Sequence, residues 1–166
     1  MSHKVYSLQI AQVRWLLIIS YLIAFLIDAT LFISLDWHFV PSITLIMLFF
    51  WVSQLLNKVH FFTALVLGVL MDATTNNLLG SHALIFVIAT FLSLRSRQSF
   101  KNYPGWQQTI FIVFYLLIAQ FLTWFVLQPQ LTGEQYFYYW LSPLLALVIW
   151  PVLNQLMRFL TERAIF

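Results

Sequence analysis

Apolar residues along this chain form runs that are long enough to cross a lipid bilayer. Four runs contain no Asp, Glu, Lys or Arg, and each has the length of a membrane helix: residues 37–57, 73–94, 102–133 and 135–157. Two stretches carry a single carboxylate each, Asp28 in the first and Asp72 in the second. The pattern predicts an all-α fold with six transmembrane helices, over residues 15–35, 39–56, 59–75, 78–94, 107–128 and 138–158.

The composition agrees with lipid as the solvent of this chain. Hydrophobic residues make up 62% of the sequence and charged residues 8%, whereas soluble domains have roughly 45–50% and 25%. Six helices of about 20 residues each use most of the 166 residues. We therefore predict one integral membrane domain over residues 1–166, without a soluble catalytic or nucleic-acid-binding domain. Cysteine is absent, which excludes disulfides and thiolate metal sites.

The basic residues indicate the orientation of the helices. In the six-helix arrangement all eight fall on the side of the chain termini: Lys4, Arg14, Lys58, Arg95, Arg97, Lys101, Arg158 and Arg163. The opposite side receives the acidic residues Asp36 and Glu134. Because Lys and Arg concentrate in cytoplasmic loops, the distribution predicts that both termini are cytoplasmic. The net charge of +3 is scattered among these loops, so it does not form the basic patch of a nucleic-acid-binding protein.

Asp28 is the residue that fits a membrane helix least well. It lies about seven residues, or roughly 10 Å, from the far end of its predicted helix. A carboxylate costs a few kcal/mol at such a depth, so its side chain should face other helices or water. Two interpretations remain open. Asp28 is either a contact for a coupling ion, substrate or partner, or a protonated or hydrogen-bonded residue inside the bundle.

A polar cluster begins with Asp72 at the end of the third predicted helix and includes Asn76, Asn77 and His82. One interpretation is a helix end and a tight turn, in which Asn76 or Asn77 caps the next helix. The other interpretation is a pocket or partner surface, with Asp72 as a contact. Both interpretations predict the turn itself.

Ala64 and Gly68 are four residues apart, so they share one face of the third predicted helix. Two small residues at this spacing allow another helix to approach closely. The pair predicts tight helix packing, but it does not identify the neighbouring helix.

The sequence contains no recognisable catalytic or metal-binding signature. The Asp and His residues have no ligand spacing such as HExxH, and no GxSxG, P-loop or GxGxxG motif is present. We therefore expect no enzymatic activity, no catalytic residue, no metal and no cofactor.

The order and spacing of several residues resemble the rod shape-determining protein MreD family. Gly68, Asp72 and Gly80 follow a G-x3-D-x7-G spacing, which adds Gly80 to the helix-packing candidates. The other matching positions are Pro41, Trp51, Lys58, Ala83, Leu84, Trp106, Gln107, Gln108, Trp150, Pro151, Leu156, Met157 and Arg158. This chain has Asn76 where the family often has a further glycine. Asn tolerates a left-handed backbone better than most residues, so we expect the turn to be retained.

The resemblance implies a non-enzymatic, multi-pass subunit of the bacterial cell-elongation machinery in the cytoplasmic (inner) membrane. The implied partners are the transmembrane helix of MreC, RodA with a class B penicillin-binding protein, membrane lipid and, indirectly, MreB filaments. The family is also similar in architecture to the substrate-binding subunits of energy-coupling-factor transporters. This likeness leaves a small-ligand-binding or transporter subunit as the alternative, in which Asp28 and Asp72 would contact the ligand or ion.

Overall fold

The computed structural model describes residues 10–34, 40–55 and 60–165, which are helical apart from short connections. The α-helices in these ranges are α1 (Ile10–Ser34), α2 (Ile43–Gln54), α3 (Phe61–Thr75), α4 (Ser81–Asn102), α5 (Gly105–Leu127), α6 (Gly133–Leu141) and α7 (Ala146–Ile165). A 3-10 turn, Ser142–Leu145, joins α6 to α7. The all-α prediction is therefore confirmed for the described residues.

Three helical stretches are both long enough and apolar enough to cross a membrane: Val13–Phe32, Gly105–Leu127 and Gly133–Arg163. The apolar helices α2 and α3 have 12 and 15 residues, fewer than the roughly 20 that a bilayer requires. The number of six spans and the cytoplasmic termini stay predictions. The predicted helix ends at 35, 39, 56 and 59 lie outside the described residues, as do Lys4, Asp36 and Lys58.

Helix α4 continues beyond its predicted end at residue 94 and stops at Asn102. Arg and Lys are good helix formers, so the change from apolar to basic residues does not end the helix. Pro104 does, because its ring disfavours a helical backbone at the preceding residue. Tyr103 is accordingly extended, with φ −76° and ψ 145°.

The last predicted helix, residues 138–158, corresponds to α6, the 3-10 turn and α7. Pro143 has no backbone N–H, so it cannot form the α-helical hydrogen bond to the carbonyl of Tyr139. The backbone tightens there into the 3-10 turn instead. Pro151 is accommodated within α7.

Helix α2 lies at the centre of the bundle. Its residues from Thr44 to Ser53 are all buried, and α1, α3, α4, α5 and α7 surround it, each contacting the next around the ring. A helix that is buried on every side is apolar on every side, as α2 is. The indole N–H of Trp51 donates a hydrogen bond to Ser20 Oγ of α1, 2.8 Å away.

The helices alternate in direction, so that the ends of three helices and the starts of two meet in one region. The C-terminal parts of α1, α3 and α5 come together there with the first turns of α2 and α4 and with the chain around the 3-10 turn. Several polar residues of the apolar runs lie in this region, among them Asp28, His82 and Gln120.

Candidate functional site

The Asp28 carboxylate caps the N-terminus of helix α2. Its two oxygens accept hydrogen bonds from the backbone N–H of Ile43 (2.8 Å), the backbone N–H of Thr44 (2.9 Å) and the hydroxyl of Ser42 (2.9 Å). The first N–H groups of a helix have no partner within the helix, and a negative charge near them is favourable. Asp28 is only 6% exposed, so the structure favours the hydrogen-bonded interpretation of this residue.

The Asp72 carboxylate caps the N-terminus of helix α4 in the same way. It accepts hydrogen bonds from the backbone N–H of Gly80 (2.7 Å) and from the backbone N–H of His82 (3.0 Å). The imidazole Nδ1 of His82 lies 2.7 Å from the same carboxylate. Asp72 is 1% exposed, so a partner on the bundle surface cannot reach its carboxylate.

The turn between α3 and α4 depends on two residues with a left-handed backbone. Asn76 ends α3 with φ 51° and ψ 31°, as expected from the tolerance of Asn for this conformation. The residue that precedes α4 is Gly80, with φ 102°. The prediction that Asn76 or Asn77 caps the next helix is wrong, because Asp72 bonds to the first N–H groups of α4. Asn77 instead donates to the hydroxyl of Thr75.

Gly68 provides the close approach between α3 and α4. A Cβ atom at this position would overlap the backbone of Ala83 and His82, and Ala64, on the same face, is fully buried. The neighbour that the sequence left open is therefore α4. Gly80 has no such packing role, since a Cβ there would have no atom within 4 Å. Its predicted assignment to helix packing is wrong, because its positive φ is the reason for a glycine at this position.

Gln120 joins α5 to the 3-10 turn and was not singled out from the sequence. Its side-chain amide donates a hydrogen bond to the Tyr139 carbonyl. Pro143 cannot donate to this carbonyl because it has no backbone N–H. Its side-chain oxygen accepts from Ser142 Oγ (3.2 Å), and its backbone carbonyl accepts from the Tyr139 hydroxyl (2.9 Å). The available signal was an amide within an apolar run, where a polar side chain needs an internal partner.

These polar groups surround a cavity of about 120 Å³, which we call the Asp28 cavity. Its lining residues are Asp28, Leu31, Phe32, Val40, Pro41, Ser42, Leu45, Met71, Thr75, His82, Ile85, Phe86, Leu116, Ala119, Gln120, Thr123, Tyr139 and Ser142. The cavity thus brings together Asp28 and His82, whereas Asp72 lies behind His82 and Asn76 is exposed on the turn. Within the part of the chain that the structure describes, no group of three or more His, Cys, Asp or Glu residues is arranged to hold a metal ion.

The bundle is basic away from this cavity, at the end of α4. Burial lowers the pKa of the Lys101 ammonium, and the positive charge of Arg158 on α7 lowers this pKa further. Arg95 on α4 and Arg163 on α7 are exposed. The described residues that line the Asp28 cavity include no Lys or Arg.

Residues 9–160 match the family of the rod shape-determining protein MreD. The chain belongs to the MreD family. It is 26% identical over 121 residues to the rod shape-determining protein MreD of Haemophilus influenzae, an alignment that covers 71% of this chain and 73% of that protein. No solved structure gives a significant match. The family predicted from the sequence is confirmed, and with it a membrane protein that determines rod shape.

The residues that resemble the MreD family have structural tasks in this member. Trp51 and Trp150 are completely or almost completely buried, and Gln108 donates to the Tyr103 carbonyl at the start of α5 (3.0 Å). Gly68 and Asp72 hold α3 and α4 together as described above. These family positions therefore stabilise the packing of the bundle. Lys58 lies outside the described residues.

Proposed function

We propose that this protein is a non-enzymatic, multi-pass subunit of the cell-elongation machinery in the bacterial inner membrane. It docks the transmembrane helix of MreC and supports peptidoglycan synthesis by RodA and a class B penicillin-binding protein. The protein associates with MreB filaments only indirectly, through these partners. The observation that carries the proposal is the match to the MreD family over residues 9–160.

The small extent of chain outside the helices supports docking within the membrane. In the described ranges the connections are short, such as 103–104 and 128–132, and they offer little surface to a soluble partner. Large apolar side chains instead face outward along several helices, among them Ile18, Leu22 and Leu26 on α1, Phe114, Phe121 and Phe125 on α5, and Val148, Val152 and Phe159 on α7. A helix such as that of MreC packs on such faces by van der Waals contact.

The arrangement of Asp72 and His82 supports a role without catalysis. An acid–base pair needs a carboxylate that orients the imidazole toward a reacting group. Here the same carboxylate also accepts two backbone N–H groups at the start of α4. We therefore assign the Asp72 carboxylate to the folding of the α3–α4 turn.

The first experiment tests the role in cell shape. Depletion of the protein should turn rod-shaped cells into spheres, and expression of the full chain should restore rods. Normal shape after verified depletion would contradict the proposal.

The second experiment tests MreC docking. A photo-crosslinking residue is introduced singly at Ile23, Leu70, Phe121 or Val152, which are exposed on four different helices. Crosslinks to MreC should be confined to one helix or two neighbouring helices of the ring, because one transmembrane helix covers only part of it. Co-purification without a crosslink from any position, or equal crosslinks from all four, would contradict docking on a helix face.

A further inference from the structure

The hydroxyl groups of the described residues that line the Asp28 cavity all donate hydrogen bonds to acceptors within the protein. The bonds run from Ser42 to the Asp28 carboxylate, from Thr75 to the Met71 carbonyl, from Thr123 to the Ala119 carbonyl, from Tyr139 to the Gln120 carbonyl and from Ser142 to the Gln120 side-chain oxygen. A hydroxyl has one proton and two lone pairs. Ser42 and Thr75 already accept one bond each, from the Leu45 N–H and the Asn77 amide. The described wall of the cavity therefore offers acceptors chiefly at Thr123, Tyr139 and Ser142 and is poor in donors.

The imidazole of His82 adds an acceptor without a partner. Its Nδ1 is bonded to Asp72, and in the neutral imidazole that donates this bond, Nε2 carries a lone pair. No described residue forms a hydrogen bond with Nε2. His82 is only 7% exposed and lines the cavity, whereas Asp72 does not. His82 is thus the member of this pair that borders the cavity.

The charges around the cavity select the sign of a ligand. The Asp28 carboxylate lines it, and the Asp72 carboxylate lies directly behind His82. Among the described residues that line it, no Lys or Arg balances these charges. A ligand with a phosphate or carboxylate in the cavity would be repelled, while a cation that donates hydrogen bonds would be attracted.

We propose that the Asp28 cavity binds a protonated primary amine. Its ammonium group donates to His82 Nε2 and to the hydroxyl oxygens of residues such as Thr123. Its carbon atoms contact the apolar wall of Leu45, Ile85 and Leu116. An ammonium has three donors and no acceptor, which complements a wall of acceptors. The volume of about 120 Å³ is somewhat below that of a cavity of roughly 150 Å³ that takes up benzene, which suits an amine of a few carbon atoms.

This inference does not depend on the docking of MreC. The amine can come from two sources, a soluble alkylamine or the ethanolamine headgroup of a phospholipid whose phosphate stays outside the cavity. The experiment separates them with probes that share the carbon skeleton but differ in the donor group.

The full-length protein, purified in detergent and freed of lipid, is incubated with phospholipids of identical acyl chains and analysed by native mass spectrometry. Phosphatidylethanolamine provides the primary ammonium, phosphatidylcholine a cation without N–H donors, and phosphatidylglycerol hydroxyl donors with a net negative charge. In parallel, the thermal unfolding midpoint is measured with n-butylamine and with n-butanol, because a ligand of the folded state raises this midpoint.

We expect selective binding of the primary amine. Retention of phosphatidylethanolamine alone identifies the headgroup as the source, and stabilisation by n-butylamine but not n-butanol identifies a soluble amine. Equal retention of the three phospholipids with no effect specific to n-butylamine would overturn the proposal, as would stabilisation by sodium chloride in place of the amine.

Two threonines on α5 provide a matched pair of variants. Thr123 lines the cavity and bonds to the Ala119 carbonyl, whereas Thr109 forms the same type of bond to the Gly105 carbonyl away from the cavity. Thr123→Val removes one acceptor and should weaken amine binding about tenfold, while Thr109→Val should leave it unchanged. Both substitutions keep the capping interactions of α2 and α4. Equal affinities for the amine in the two variants would place the binding outside this cavity and overturn the proposal.

Discussion

Asp28 and Asp72 lie on different helices, yet each carboxylate accepts the N–H groups at the start of the next helix in the chain. Asp28 bonds to the first two residues of α2, and Asp72 bonds to Gly80 and His82 at the start of α4. Thr44 and His82 at these helix starts are buried, so the Asp carboxylates replace water as acceptors for their N–H groups. The two acidic residues in the predicted helices therefore perform the same task.

Asp28→Asn should destabilise the protein. Each oxygen of Asp28 accepts at least one hydrogen bond, but asparagine has a single side-chain oxygen, and its NH₂ group would face a donor. An unsatisfied buried donor costs about 1–3 kcal/mol, which should lower the unfolding midpoint in detergent. Glu162→Gln, at an exposed carboxylate on α7, should change the midpoint little. An unchanged midpoint for Asp28→Asn would show that Asp28 is protonated, as one of the sequence interpretations proposes.

Asp72→Ala should reduce the amount of folded protein without reducing MreC binding per folded molecule. The substitution leaves the first N–H groups of α4 without their acceptor, whereas the buried carboxylate offers no surface to a partner. The measurement is MreC recovery by co-purification, normalised to the monodisperse fraction of the variant. A lower recovery after this normalisation would restore Asp72 as a partner contact.

Gly68→Ala should separate α3 from α4 and destabilise the bundle by about 1–3 kcal/mol, the usual cost of overpacking. The backbone of Ala83, which the new methyl group would meet, cannot move aside as a flexible side chain can. Gly105→Ala is the control, because a Cβ at Gly105 has no atom within 4 Å. Chemical unfolding of both variants in detergent measures the difference, and equal stabilities would argue against the close approach.

The turn between α3 and α4 should tolerate glycine at Asn76 and reject a branched residue. Asn76→Gly retains the left-handed backbone and should change stability by less than about 1 kcal/mol, whereas Asn76→Val should cost about 1–3 kcal/mol. Asn76 is exposed, so the comparison reports backbone conformation without a change in packing. Equal unfolding midpoints for the two variants would exclude a left-handed Asn76.

The predicted orientation can be tested with single cysteines, since the natural chain has none. Ser99 and Glu162 should be shielded from a membrane-impermeant thiol reagent, while Asn76 and Gln130 should react. All four positions are exposed in the structure, so differences in labelling report the side of the membrane. Labelling of Ser99 in cells whose outer membrane alone is permeabilised would contradict the six-span prediction.

The helices could be predicted because a long apolar run is a local property of the sequence. The buried position of α2 could not, because a helix that faces lipid and a helix that is enclosed by protein are equally apolar. The partner of Asp28 was hidden for a related reason. Its carboxylate bonds to backbone N–H groups of Ile43 and Thr44, and every residue type except proline provides such a group.

The set of residues that lines the Asp28 cavity also could not be predicted from the sequence. Gln120 and Thr123 are separate polar residues in an apolar run, and only the fold brings them next to His82 of α4. Pro143 is a local signal for the break between α6 and α7. The prediction gave more weight to the length of the surrounding apolar run and therefore placed one continuous helix there.

The capping of α2 by Asp28 has a consequence for biogenesis. Alone in lipid, helix α1 would expose a carboxylate that costs about 2.5–3.5 kcal/mol on insertion scales, and α2 would expose free N–H groups. When the two segments leave the translocon together, the hydrogen bonds from Ile43 and Thr44 to Asp28 remove both penalties. We therefore expect α1 and α2 to enter the bilayer as one helical hairpin, with α2 enclosed when the later helices arrive.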